Sequence, residues 1–197
     1  MKRTIVDRAK ICTGATLRDK PQHSVTPNSL LMQLGDLDSA GQLRFETMIP
    51  FLHEGQFAKS IVVPGDLIFR GRGAAITVAV MPETEKPIIV AAPLIVIRPD
   101  LNKVDPHYLA WALETTAAYR HYAEFSRGSA IVGICKRDLE IFEITLPELR
   151  IQRKISMLKN LQAQETRLLT RHRTLREKLL NTLLNKVASS TKKEKRA

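Results

Sequence analysis

The segment Arg70-Gly71-Arg72-Gly73 places two arginines and two glycines directly after an apolar run. A guanidinium fork can meet O6 and N7 of guanine together, which discriminates against other bases by about 1–3 kcal/mol. Glycine permits the tight turn that would carry such arginines to a surface. The same residues could instead form a hairpin turn whose arginines only face water. From the residues alone, both interpretations stay open for Arg70 and Arg72.

A second basic cluster lies between a predicted helix and a predicted strand, around Gly128. Hydroxyls, exposed backbone amides and arginine together suit phosphate oxygens or base edges. The alternative is a helix that stops at Gly128, with basic residues stabilising its carboxyl end. The residues of this cluster are Ser126, Arg127, Ser129, Lys136 and Arg137, and both interpretations stay open for them.

The remaining titratable residues show no spacing that favours catalysis or metal binding. Cys12 and Cys135 are isolated and have no neighbouring histidines, so neither a zinc site nor a disulfide framework is indicated. The histidines form no triad or metal spacing. The sequence therefore predicts no catalytic residue, no metal and no cofactor of its own, and isolated cysteines suit a protein of the reducing cytoplasm.

The positive charge is concentrated at one end of the chain. The 197 residues carry a net charge of +11. Residues 1–150 hold 18 basic and 17 acidic residues, a net +1, whereas residues 151–197 hold 13 and 3, a net +10. Such a surface is typical of nucleic-acid binding, although a merely solvated basic helix is the alternative. No apolar run reaches the roughly 18 residues that a membrane-spanning helix needs.

Short apolar runs separated by turn residues predict a β-rich first half, folded as a curled antiparallel or mixed sheet. These runs are 29–35, 41–46, 60–63, 66–70, 75–81, 87–91 and 93–98. From Asp105 the spacing becomes helical, with Asp105 as N-cap and Pro106 at the first helical position. A short strand at 141–146 then ends at Pro147.

A long helix is predicted over residues 148–187. Its apolar residues recur at steps of three, four or seven, which is typical of a coiled coil. A helix of this length measures about 60 Å, more than the preceding domain could cover. The alternative is a helix that packs on its own domain. The predicted partner-facing residues, called the seam, are Ile155, Leu158, Leu161, Glu165, Leu168, His172, Leu175 and Leu179.

Glu165 and His172 interrupt the seam at its middle. If two copies pair antiparallel about a point between Leu168 and Leu169, Glu165 of one copy faces His172 of the other, and Leu158 faces Leu179. Two symmetric acid–imidazole contacts would then fix the register, as buried polar residues do in coiled coils. We expect an antiparallel dimer.

Several segments resemble the specificity (S) subunits of type I restriction-modification systems. Residues 65–69, Gly-Asp-Leu-Ile-Phe, followed by Gly71 and Gly73, resemble the family's "GD-apolar-apolar-F…G" element, and Gly14 with segment 34–43 resembles its opening strands. Segment 128–155 resembles the end of a target recognition domain passing into a conserved spacer helix. The matching residues there are Gly128, Ser129, Gly133, Ile134, Leu139, Ile144, Leu146, Pro147, Leu149, Gln152 and Ile155.

The chain departs from that family in three ways. Thr145 stands where the family usually has proline, and Ile151 where it usually has glutamate. Full-length S subunits carry two recognition domains and two helices, whereas this chain has one of each. We therefore expect a half-length form of α+β class. It would comprise a target recognition domain over 1–147, a spacer helix over 148–187 and a disordered basic tail over 188–197.

The resemblance implies a non-catalytic subunit that binds duplex DNA. It makes the two basic clusters the candidate DNA contacts, namely Arg70, Arg72, Ser126, Arg127, Ser129, Lys136 and Arg137. It also implies methyltransferase subunits as partners, which carry S-adenosylmethionine, and in some assemblies a restriction motor subunit. The helix would pair with a second copy or with a different half-subunit. Three alternatives stay open: a DNA-binding module outside restriction, an inactive phase-variable recognition fragment, and a coiled-coil adaptor that does not bind DNA.

Overall fold

The computed structural model describes residues 2–17, 24, 26–53, 55, 57–73, 76–125 and 133–194. They fall into two compact units, Met1–Ser156 and Met157–Ala197. The first unit contains every strand of the described residues and three helices. The second consists of the greater part of one long helix.

Ten short strands make up the sheets of the first unit. They are β1 (Lys2–Thr4), β2 (Ala9–Thr13), β3 (Ser29–Met32), β4 (Ile49–Phe51), β5 (Ile61–Val62), β6 (Leu67–Arg70), β7 (Thr77–Val80), β8 (Ile88–Val90), β9 (Ile95–Pro99) and β10 (Glu143–Thr145). A central sheet has the order β2-β9-β6-β7 and is antiparallel throughout. A second sheet has the order β4-β3-β8-β5, with β3 and β8 parallel. The strands β1 and β10 form a separate antiparallel pair.

The central sheet is covered on both faces. Because side chains alternate along a strand, Leu67 and Phe69 point to one face of β6 and Ile68 points to the other. Leu67 and Phe69 pack with the helices in one apolar core, whereas Ile68 packs in a second core with residues of the other sheet. All three side chains are fully buried. Two-sided burial explains the unbroken apolar run at 67–69.

The described residues contain four α-helices, three before β10 and one after it: α1 (Pro106–Leu113), α2 (Thr116–Phe125), α3 (Lys136–Glu140) and α4 (Leu149–Glu194). Asp105 caps α1 as predicted, since its carboxylate accepts a hydrogen bond from the Tyr108 amide at 2.9 Å. One helix was predicted over the region that holds α1 and α2. The break falls at Glu114, whose carboxylate accepts a hydrogen bond from the Val78 amide of β7.

Two other segments differ from the sequence prediction. The run 41–46 forms no strand; Leu43 makes an isolated bridge with Leu37, and a 3₁₀ turn spans Phe45–Thr47. Helix α4 continues to Glu194, past the predicted end at residue 187. Segment 188–194 contains no proline or glycine to stop a helix. The rest of the predicted tail, residues 195–197, lies outside the described residues.

Candidate nucleic-acid interface

The turn after β6 and the segment before α3 are joined through their backbones. The Ile134 amide donates to the Gly71 carbonyl at 2.9 Å, and Arg72 forms an antiparallel bridge with Gly133. Arg72 therefore lies beside a segment that reaches Lys136 and Arg137 within a few residues. We call Arg72, Lys136 and Arg137 the basic corner. The structure thus joins, through their backbones, two segments that the sequence placed in separate clusters.

Gly71 makes this close approach possible. A Cβ at position 71 would lie 2.5 Å from the Ile134 carbonyl oxygen and 2.9 Å from Cε1 of the buried Phe69 ring. Neither neighbour can move cheaply, because one is backbone and the other is packed in the core. Only glycine fits here without separating the two halves of the basic corner.

The two arginines of the first cluster differ in their surroundings. Arg70 is half-buried; its Nη1 donates to the Leu37 carbonyl at 2.7 Å and its Nε donates to the Arg72 carbonyl at 3.2 Å. Arg72 is exposed. Arg70 therefore fixes the shape of the turn and ties it to segment 34–43, which leaves Arg72 as the arginine of this cluster that is open to a ligand.

Helix α3 positions the other half of the basic corner. The Cys135 amide donates to the Asp138 carboxylate at 2.8 Å, which caps the helix, and the His121 imidazole Nε2 lies 2.7 Å from the Asp138 carbonyl oxygen. Lys136 pairs with Glu140 at 3.4 Å, and the Arg137 side chain is exposed. The other predicted contacts of this region, Ser126, Arg127 and Ser129, lie outside the described residues.

A groove of about 630 Å³ lies next to the basic corner and shares Lys136 with it. Its charged lining comprises Arg8, Lys10, Arg98 and Lys136 together with Asp7, Asp100 and Glu140. Four cations and three carboxylates nearly balance, so the groove itself offers little attraction for a polyanion. Its cations Arg8 and Lys10 were not singled out from the sequence, because neither belongs to a cluster.

A buried ion pair supports the strands behind this surface. Asp66 is 1% exposed, and its carboxylate accepts hydrogen bonds from Arg98 Nη2 at 2.6 Å, from Arg98 Nε at 2.9 Å and from the Val63 amide at 2.9 Å. This bonding to Asp66 raises the pKa of the Arg98 guanidinium. The Gly-Asp element of the sequence therefore works as a structural clamp between β6 and β9.

The start of α4 is bound to the first unit by polar contacts. Gln152 is 1% exposed; its Oε1 accepts from the Asp105 amide at 2.9 Å, and its Nε2 donates to the carbonyls of Pro147 at 2.8 Å and Lys103 at 3.2 Å. The Ser156 hydroxyl donates to the Asp105 carboxylate. Sequence reasoning matched Gln152 to the family without seeing this role.

The predicted seam residues divide into two groups. Ile155 is half-buried and packs against the core of the first unit. The others lie in the second unit, where their side chains are exposed. Among the leucines, the exposed fraction is 66% for Leu158, 50% for Leu161, 66% for Leu168, 56% for Leu175 and 60% for Leu179. Glu165 and His172 are exposed with them. A row of leucines left in water is a large apolar surface without a partner.

Replacement of Gly71 with alanine is expected to disturb the basic corner more than the rest of the fold. Forcing a methyl group into packed surroundings costs about 1–3 kcal/mol, and the strain falls on the Ile134 contact. Hydrogen exchange should show loss of protection at the Ile134 amide. Urea unfolding should show a lower midpoint for the variant than for the wild type. Gly35→Ala is the matched control, since a Cβ at residue 35 meets nothing within 4 Å. Equal protection of Ile134 in both variants would contradict the account.

The described residues thus form a two-sheet α+β unit with a basic corner, followed along the chain by a long helix with exposed leucines. The chain belongs to the family described as type I restriction modification DNA specificity domain, whose model matches residues 35–175. The resemblance drawn from the sequence is thereby confirmed. No curated protein gave a match.

Solved structures share the fold at low identity. The structure described as the basis of complex assembly and conformational transition of the type I R-M system matches with a TM-score of 0.67 and 19% identity, covering 93% of this chain and 43% of that one. The HsdS subunit from Thermoanaerobacter tengcongensis matches with a TM-score of 0.58 and 20% identity, covering 87% and 39%. The type I S subunit from M. genitalium matches with a TM-score of 0.54 and 15% identity, covering 82% and 38%.

These similarities confirm the predicted α+β class with its long C-terminal helix. The chain spans about two fifths of the length of the structures it matches. Within the described residues, no helix is long and apolar enough to cross a membrane. In that same part of the chain, no three His, Cys, Asp or Glu side chains come together as metal ligands.

Proposed function

We propose that this chain is the non-catalytic DNA-recognition component of a type I restriction-modification complex, that it binds duplex DNA and that it docks methyltransferase subunits. The observation that carries the proposal is the basic corner, held together by the Gly71–Ile134 contact in a unit of the specificity family. S-adenosylmethionine would reside on the methyltransferase subunits, and a restriction motor subunit could join the assembly.

Base recognition would fall to the basic corner. Arg72 is exposed on a turn and can reach a groove edge, where a bidentate contact to guanine is the commonest specific one. Lys136 and Arg137 would hold phosphates and set the register of the unit on the duplex. Residues 1–150 have a net charge of only +1, so they supply few phosphate contacts of their own.

The helix would supply association. Burying a leucine side chain stabilises a complex by about 1.5–3 kcal/mol, so the exposed seam leucines favour a partner helix strongly. In an antiparallel pair centred between Leu168 and Leu169, Glu165 of each copy meets His172 of the other. The two-fold axis of such a dimer demands a palindromic target in two halves. Pairing with a different half-subunit would instead give an asymmetric target.

Selection from a randomised duplex pool, with methyltransferase subunits present, tests the recognition role. We expect one motif to be enriched, and Arg72→Ala to change that motif at one position in each half-site at a cost of about 1–3 kcal/mol. Lys193→Ala in the basic tail is the matched control and should weaken all sequences alike. If the wild-type chain enriches no motif, the proposed function is wrong.

A second candidate is favoured by the net charge of +10 over residues 151–197, which suits DNA binding without any partner subunit: a DNA-binding module outside restriction, or a recognition fragment that is inactive alone. Such a chain would bind duplex DNA but would not form a complex with methyltransferase subunits. Light scattering of the mixture separates the two, because a docked complex has the summed mass. A coiled-coil adaptor would associate through α4 and show no salt-dependent DNA binding.

A further inference from the structure

The two flanks of the seam differ in chemistry along the second unit. One flank carries Arg167, Arg171 and Lys178, and we call these three the cationic flank. Arg171 and Lys178 each follow a seam leucine by three residues, and Arg167 lies one row further out. Its uncharged neighbours are mostly polar, namely Asn160, Gln164, Thr174, Asn181 and Asn185, with the exposed Met157 at the start of the row.

The opposite flank is apolar by comparison. It carries Leu169, Leu180 and Leu183, which are 64%, 56% and 50% exposed, and we call these three the leucine flank. This side also carries three cations, of which Arg176, in one row with Leu169 and Leu183, is exposed, and the other two have partners. Arg173 pairs with Glu177 at 3.0 Å, and Lys159 donates to Gln162 at 2.8 Å. The three side chains of the cationic flank are exposed, and the described contacts include no ion pair for them.

The symmetry of the proposed dimer keeps these flanks apart. The two-fold axis of an antiparallel pair stands perpendicular to the plane that contains both helices. Rotation about that axis exchanges the helices and leaves each side of the plane where it was. The two cationic flanks therefore lie on one side of the dimer and the two leucine flanks on the other.

A palindromic duplex must share this axis. The dyad of the DNA coincides with the two-fold axis of a dimer that reads both half-sites equally. The middle of the DNA between the half-sites, the spacer, then lies on the axis and faces one side of the helix pair or the other. The side with the cationic flanks suits phosphates better, since its three cations per chain stand among mostly polar residues and have no ion pair in the described contacts. The three cations of the other side stand among exposed leucines, and one of them is paired with Glu177.

We propose that the cationic flanks face the spacer DNA and bind its phosphates, so that α4 contributes directly to duplex binding. The inference rests on the proposed function and adds a ligand to the helix. From Lys178 of one copy to Lys178 of the other, the six cations extend over about 28 Å of helix, given 1.5 Å per residue. That length matches about eight base pairs at 3.4 Å each. The contacts carry no sequence information, because every spacer presents the same phosphates.

The test compares Arg171→Gln/Lys178→Gln with Lys159→Gln/Arg173→Gln. Each double variant removes one arginine and one lysine per chain, from the cationic flank in the first and from the other side in the second. Affinity for the selected two-half-site duplex is measured by fluorescence anisotropy from 50 to 200 mM salt. Losing four phosphate contacts per dimer lowers the slope of log affinity against log salt by roughly 3.6. Over that salt range, wild type should thus lose about 100-fold more affinity than the cationic-flank variant.

A second arm places neutral methylphosphonates at the centre of the spacer. We expect them to weaken binding of the wild type and of the Lys159→Gln/Arg173→Gln control, and to have little effect on the cationic-flank variant. The inference is overturned if both double variants have the same salt slope, or if methylphosphonates weaken binding of neither the wild type nor the control variant. In either case, motif enrichment by the wild type still supports the proposed function. Light scattering must show that both variants remain dimers, and a cationic-flank variant that is monomeric also overturns it.

Discussion

Replacement of Leu161 and Leu168 with glutamate is expected to leave the chain monomeric while its first unit stays folded. Both leucines are at least half exposed in the single chain, so a monomer loses little by the change. A dimer loses four buried leucines at about 1.5–3 kcal/mol each, or about 6–12 kcal/mol, and must also bury four carboxylates. Light scattering at micromolar concentration measures the mass directly.

The matched control is Leu180→Glu/Leu184→Glu. It places the same two charges on the same helix but outside the seam, and we expect a dimer of wild-type mass. Both variants should keep their helical circular dichroism, since glutamate is a good helix former. A Leu161→Glu/Leu168→Glu chain that still dimerises would exclude the seam as the association surface.

Replacement of Asp66 with alanine is expected to destabilise the first unit by about 3 kcal/mol. Removing one member of a buried pair costs about 3–5 kcal/mol, because the remaining charge is left without a partner. The lower end applies here because the Arg98 side chain is 42% exposed and can turn toward water. The Val63 amide also loses its acceptor. Urea unfolding should show a lower midpoint with an unchanged m-value.

Asp100→Ala serves as the control for this prediction. Asp100 also pairs with a cation, Lys103 at 2.7 Å, but at the surface, where ion pairs contribute little. Its urea midpoint should stay close to that of the wild type. If the two aspartate variants unfold at the same urea concentration, the clamp between β6 and β9 is not a main source of stability.

Much of the sheet architecture was predictable because its signals are local. The runs at 60–63, 66–70 and 87–91 contain strands β5, β6 and β8, and the run at 93–98 contains all of β9 except Pro99. Helix α3 was missed because five residues give too short a pattern; the Cys135–Asp138 cap and the His121 contact hold it instead. At the break between α1 and α2, the Glu114 carboxylate accepts a hydrogen bond from β7. The helical period of the sequence does not reveal such a tertiary contact.

The candidate site was predictable in its parts and not in its assembly. Arginine and glycine at 70–73 and the basic pair at 136–137 were visible in the sequence, but their union depends on a contact between Gly71 and Ile134 across more than sixty residues. The inward role of Arg70 could not be foreseen, because its acceptor is a backbone carbonyl of Leu37. The leucines that the heptad period selected from Leu158 to Leu179 are exposed, whereas Ile155, which the same period selected, packs in the first unit.

The anchoring of Gln152 has a bearing on how such proteins diversify. Its side-chain amide forms hydrogen bonds with three main-chain groups, namely the Asp105 N–H and the carbonyls of Lys103 and Pro147. Main-chain groups are the same whatever side chains they carry, so the attachment of α4 through Gln152 does not depend on most of the sequence before it. A first unit of different sequence could therefore be joined to an unchanged helix, provided that an aspartate remains at position 105 to accept the hydrogen bond of the Ser156 hydroxyl.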